Sequence, residues 1–133
     1  MAQNIARKPD YSDLDLDFIM HPTTKDVVVK KGADAIKRSV RNLILTNFYD
    51  RPFRPYIGSN VNKLLFENMN PLTATFLKNA IIEVITNYEP RVRLSDVQLG
   101  EDPDNNGINV TLSYVILNRS EPVITTIFLE RIR

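Results

Sequence analysis

The spacing of apolar residues divides this chain into an alternating opening, a helical middle and an alternating end. Leu16, Phe18 and Met20 alternate, and Val27, Val28 and Val29 follow the polar stretch His21 to Asp26, which predicts an N-terminal hairpin. Gly32 breaks that pattern. Ile36, Val40, Leu43 and Ile44 then recur at helical spacing from about Ala33, and Phe48 prolongs the stripe. Asp34 falls in the first turn, where a negative charge favours the helix N-terminus. Pro52, Pro55 and Gly58 make Asp50 to Ser59 a shaped loop, because proline fixes φ and glycine permits positive φ. A short helix is expected from about Val61 to Asn68, burying Leu64, Leu65 and Phe66.

The clearest helix is Pro71 to Tyr88. Asn70 is placed to cap it, and Pro71 fits the first helical position, where its missing N–H has no intrahelical partner. Leu72, Phe76, Leu77, Ala80, Ile81, Val84, Ile85 and Tyr88 form a wide apolar stripe. Glu89 precedes Pro90, which disfavours α geometry and ends the helix. From Val92 the period becomes two. Val92 to Leu99 reads as a strand with an irregularity near Ser95–Asp96. Asn106-Gly107 signals a hairpin, and Ile108, Val110, Leu112, Tyr114 and Ile116 alternate. Val123 to Ile132 is the last strand, with Val123, Ile127 and Leu129 on one face. The expected fold is α+β: helices packed on a small antiparallel sheet formed mainly by the C-terminal strands, plus an N-terminal hairpin. Residues 1–15 are expected to be an arm and 16–133 a single domain.

Composition narrows the functions. With no cysteine and one histidine, disulfides, thiolate metal sites and multi-histidine sites are excluded, and no cofactor is expected. The net charge of +1 is too balanced for a dedicated nucleic-acid binder. No apolar run is long enough to span a bilayer, and residues 1–10 contain no apolar signal region, so synthesis in the host cytoplasm is expected. The charges are segregated. Asp10, Asp13, Asp15 and Asp17 open the chain. Lys25, Lys30, Lys31, Lys37, Arg38, Arg41, Arg51 and Arg54 follow, and Asp96, Glu101, Asp102 and Asp104 come later. Such segregation is either solvated surface or a set of complementary patches that orient a partner.

Candidate chemistry is sparse. There is no phosphate-binding glycine loop, no metal-ligand spacing and no nucleophile–histidine arrangement. His21, in a predicted turn, reads as a surface residue. Glycoside hydrolysis needs two carboxyl groups about 5–5.5 Å or roughly 6.5–9.5 Å apart. Glu67 and Glu89, at predicted helix ends, are the pair to choose, but a chain with sixteen acids offers such pairs by chance. Two clusters carry more. Arg51-Pro52-Phe53-Arg54-Pro55 presents arginine forks on a pre-ordered backbone. Asn87-Tyr88-Glu89-Pro90-Arg91 holds an aromatic, an anion and a cation at the helix–sheet junction, as an internal clamp or an interface anchor. The last strand could accept another chain's strand if it lies at the sheet edge, although Glu130, Arg131 and Arg133 would also blunt it.

Arg51-Pro52-Phe53, Pro55 and Gly58, then Leu65-Phe66-Glu67-Asn68, Pro71-Leu72-Thr73-Ala74 and Asn87-Tyr88-Glu89-Pro90-Arg91 occur in an order and spacing that resemble the small baseplate wedge proteins of contractile phage tails. The type VI secretion counterpart shares the Glu-Pro-Arg core. The resemblance runs from about Gly32 to the C-terminus. It implies a structural virion protein, present in several copies around a ring. Tyr88, Glu89, Pro90 and Arg91, with Arg51, Pro52 and Phe53, would contact larger wedge proteins, and the C-terminal sheet would template the tail sheath by strand addition. It implies no enzyme. Members are often labelled lysozyme-like, so a peptidoglycan hydrolase using Glu67 and Glu89 is the alternative. On this reading Arg91→Ala folds normally but fails to assemble, and proline at Thr125 impairs sheath growth.

Overall fold

The structure, a computed structural model, describes residues 11–131. Its elements are β1 (Ser12–Leu14), β2 (Val29–Lys31), α1 (Ala33–Leu45), α2 (Val61–Leu65), α3 (Pro71–Tyr88), β3 (Val92–Asp102), β4 (Gly107–Ile116) and β5 (Pro122–Glu130). The strands form an antiparallel β1–β2 pair and an antiparallel meander in the order β3-β4-β5. The expected α+β class, with its N-terminal hairpin, is therefore the observed one.

One core joins the layers. Alternating residues of β4, from Ile108 to Ile116, are buried and meet Leu77, Ile81, Val84 and Ile85 of α3 and Ile36, Val40, Leu43 and Ile44 of α1. The helix stripes and the strand alternation predicted from period thus point at each other. The Asn70 side chain accepts a bond from Thr73 N at 2.8 Å, with Pro71 in the first turn. The expected irregularity in β3 is a register shift between Leu94 and Asp96.

Several local expectations are corrected. The hairpin's strands pair outside the Leu16–Met20 stretch, with Ser12 opposite Lys31, while the inner part keeps a Met20–Val27 bridge and a bond from Asp15 N to Val28 O. Phe18 takes φ 52°, which breaks the extended run, and Leu16, Phe18 and Met20 are exposed. Of the expected arm 1–15, residues 1–10 lie outside the described residues, and Ser12–Leu14 are in β1. Phe48 does not prolong α1: Thr46 turns extended and its hydroxyl bonds back to Asn42 O. Helix α2 stops at Leu65 because the Arg131 side chain bonds the carbonyls of Leu65 (2.9 Å) and Glu67 (2.6 Å), and Phe66 faces solvent.

The β3–β4 turn also differs from its signal. Asn106 alone takes the left-handed conformation, φ 50°, while Gly107 begins β4. Its glycine serves packing: a Cβ there would lie 2.3 Å from Phe128 Cζ. Strand β5 ends at Glu130, and Ile132 and Arg133, assigned to that strand and its charged end, lie outside the described residues.

Candidate functional site

The helix–sheet corner is built around a buried carboxylate. Pro90 forces Glu89 out of helical geometry (φ −122°, ψ 81°), and this turns its side chain inward, where it is 3% exposed. Arg91 grips it with one edge of its guanidinium in a two-pronged contact, Nε donating to Oε1 at 2.6 Å and Nη2 to Oε2 at 2.9 Å. Ser39 of α1 donates to Oε2 at 2.5 Å. Burial alone would push the Glu89 carboxyl up. The hydrogen bonds from Arg91 and Ser39 and the Arg91 charge outweigh it and hold the group below its usual range. The hydrogen bonds to Glu89 in turn keep Arg91 firmly charged.

Arg91 reaches further. Its Nη1 donates to Asp13 Oδ1 at 3.1 Å, and its guanidinium lies 5.4 Å from the centroid of the Tyr11 ring. The two strongest sequence candidates, Glu89 and Arg91, are therefore bonded first to each other within the subunit. They clamp α1, the α3–β3 corner and β1 together, and what the corner offers outward is its rim. A concavity of about 630 Å³ there is lined by Leu14, Leu16, Arg51, Tyr88, Pro90 and Arg91, among others. Leu14 and Leu16 are 61% and 50% exposed on its wall.

The Arg-Pro loop is tied to the same corner, since the Tyr88 hydroxyl donates to Tyr56 O at 2.9 Å. The loop closes through Tyr49 N to Pro55 O (2.9 Å) and Ser59 N to Thr46 O (2.9 Å). A Cβ on Gly58 would sit 2.5 Å from the Asn47 carbonyl carbon, so only glycine allows this close return. Tyr49 and Phe53 hold positive φ (72° and 67°), a conformation that costs a bulky residue about 1–2 kcal/mol each. Arg51 and Arg54 are exposed and form no ion pair among the described residues.

Strand β5 is the outer strand of the meander: no strand lies beyond it among the described residues. Arg131 N bonds Asn106 O at 2.9 Å, and the β4–β5 register places Gly107 opposite Glu130. Antiparallel ladders alternate, so Thr125, Ile127 and Leu129 direct their N–H groups to β4, while Ile124, Thr126, Phe128 and Glu130 direct theirs outward. Beside this edge runs a groove of about 510 Å³, lined by Thr126 and Phe128 on one side and by Lys37, Arg38 and Arg41 of α1 on the other.

The hydrolase pair is not brought together. Glu67 is exposed after α2 and lines a cavity with Phe76 and Glu83, whereas Glu89 lines the corner. A general acid needs a raised carboxyl pKa, and that of Glu89 is lowered. His21 organises its turn, its Nδ1 accepting from Thr23 N and Thr24 N at 3.2 and 3.3 Å. Among the described residues no cluster of three or more His, Asp or Glu is placed to hold a metal ion, and no helix is long and apolar enough to cross a membrane. Sequence reasoning missed Asp13, Ser39, Tyr56 and the Arg131 clamp. The Asp13–Arg91 contact spans 78 positions, so no spacing motif could signal it.

The comparisons with known proteins agree with one another. A family model described as baseplate wedge protein gp25 matches residues 30–121. The baseplate wedge protein gp25 of Enterobacteria phage T4 is 33% identical over 113 residues, 85% of each chain. A chain of the anti-feeding prophage baseplate superposes with a TM-score of 0.65 at 22% identity, covering 93% of this chain and 88% of that one. A putative tail lysozyme from Geobacter sulfurreducens gives 0.61 at 21%, covering 71% and 88%. A chain of the post-contraction pyocin R2 baseplate gives 0.53 at 18%, covering 82% and 95%. At these identities the three structures speak for the fold.

Proposed function

The chain belongs to the gp25 family of baseplate wedge proteins, and from that premise we propose that it anchors to larger wedge proteins through the helix–sheet corner and starts the tail sheath at the edge of β5. It is a baseplate wedge protein of a contractile tail, and the finer division of labour is our reading. The observation that carries it is the outward row of N–H groups from Ile124 to Glu130, which an incoming strand can pair.

The corner supplies rigidity: the Glu89–Arg91–Asp13 clamp fixes the rim on which Leu14, Leu16, Tyr88, Pro90 and Arg51 face a partner. Arg51, Pro52 and Phe53 extend that contact surface. The subunit would then enter wedges in the host cytoplasm, occur once or more per wedge around the ring, and end in the virion.

Sheath assembly on purified baseplates tests the edge. Thr126→Pro removes one outward N–H and leaves the β4–β5 ladder intact. Baseplates carrying it should form normally and support little sheath, and sheath at wild-type yield would refute the strand role. Leu16→Glu places a charge on the corner rim, and its co-purification with wedge proteins at wild-type yield would refute the corner anchor. The hydrolase alternative would return only if pure protein cleaved cell wall and lost that activity in both Glu67→Gln and Glu89→Gln.

A further inference from the structure

Phe53 is 100% exposed, and the chain adopts an unfavourable backbone conformation, φ 67°, to hold it there. Exposed apolar residues are common, but a strained and fully presented aromatic is not what folding alone selects. The loop is not loose either. Arg54 N bonds Arg51 O and Ile57 N bonds Arg54 O, Pro52 and Pro55 restrict the backbone on either side of Phe53 in sequence, Ile57 is buried, and Tyr88 holds the loop's return through Tyr56 O. The backbone that presents the ring is therefore pre-organised, which reduces the ordering cost of binding. Arg51 and Arg54 stand on either side of it in sequence, exposed and without an ion pair among the described residues.

We propose that Phe53 is a knob that inserts into an apolar socket on another wedge protein, a socket rimmed by carboxylates that pair with Arg51 and Arg54. The inference rests on the wedge-subunit reading and names the partner's chemistry at one contact. Charge complementarity decides the occupant. Two arginines on a rigid loop match carboxylates at fixed positions, since their planar forks bind such groups in two-pronged fashion. A nucleic acid is disfavoured because Asp50 lies in the same loop and the chain carries a net charge of only +1, too little to neutralise a run of phosphates. A second copy of this chain also offers an acid-lined apolar hollow, around Glu67, Phe76 and Glu83. Seating the knob there would join copies directly, and the experiment separates that outcome.

A photo-crosslinking phenylalanine analogue at position 53 of the full chain, in assembled wedges, reads the contact directly. The expected product joins position 53 to one other wedge protein, at a peptide where apolar residues adjoin Asp or Glu. Phe53→Ala, whose side chain touches no core, should keep the wild-type urea midpoint. It should nevertheless lower the yield of the chain in purified wedges about tenfold or more, as loss of a central anchor does. The double variant Arg51→Glu, Arg54→Glu should lose yield likewise and regain it when the crosslinked acids are changed to lysine. Crosslinks to a second copy or to nucleic acid, or wild-type yield for both variants, would overturn the knob. Any of these results with wild-type chain present in wedges would leave the wedge reading standing, whereas absence of the wild-type chain from wedges would remove that reading itself.

Discussion

Arg91 and Asp13, 78 positions apart, meet at 3.1 Å across the corner that Glu89 buries. Through this contact the N-terminal strand β1 is held against the start of β3, and the same guanidinium pairs with Glu89. The Glu-Pro-Arg element is thus first a clamp within the subunit.

Removing the clamp should be felt in the isolated protein. In contrast to the expectation that Arg91→Ala folds normally, the variant leaves a buried carboxylate without its cation and should lose about 3 kcal/mol of stability. Urea denaturation measures this. Asp13→Ala, at a more exposed oxygen pair, should cost no more than about 1 kcal/mol. An unchanged midpoint for Arg91→Ala would mean that Glu89 is paired otherwise than described.

The same carboxylate sets an acid limit. The folded-state pKa of Glu89 lies below its unfolded value, so the native state favours the ionised form. That contribution is complete above the ordinary carboxylate range, near 4.3, and is lost as pH falls through the lower folded value. Stability of the wild type should therefore drop below about pH 4 more steeply than that of Glu89→Gln. Parallel curves for the two proteins in urea titrations at stepped pH would contradict the assignment.

Neighbouring threonines of β5 should respond differently to proline. Thr125 N–H points into the β4–β5 ladder, so Thr125→Pro removes a ladder bond and leaves its partner carbonyl unpaired, which should cost the fold about 1–3 kcal/mol. Thr126 N–H points outward, where proline is tolerated on an edge. Circular dichroism melts of the two variants separate the cases, and equal losses would mean that the ladder runs with the opposite phase. The expected effect of proline at Thr125 on sheath growth can be read only if that variant still folds and joins the baseplate, so Thr126→Pro is the cleaner probe of the edge.

Phe53 should trade stability for assembly. Glycine accepts φ 67° without the steric penalty, so Phe53→Gly should gain up to about 1 kcal/mol after the larger unfolded-state entropy of glycine is subtracted. The gain should appear as a higher urea midpoint. A lower midpoint would show that the ring packs against the fold.

Much of the architecture was legible because it depends on neighbours in sequence. The α3 boundaries follow from Asn70, Pro71 and Pro90, each acting on backbone within a few residues, and the meander follows from period-two alternation. The motif order from Arg51 to Arg91 gave the family. Element ends set by remote groups were not legible: α2 stops where Arg131 takes its carbonyls, and the Asn106-Gly107 turn is shaped by Phe128.

The sequence by itself determined which segments are helix and strand, which faces are apolar, and which short motifs mark the chain as a wedge subunit, since these rest on local sterics and spacing. Only the tertiary structure decided that Glu89 and Arg91 satisfy each other, that Glu67 lies elsewhere, and that alternate amides of β5 face outward. Those outcomes depend on burial and on hydrogen bonds between residues far apart in the chain. A buried charge takes whichever partner the fold brings within about 3 Å, and no sequence interval specifies that distance.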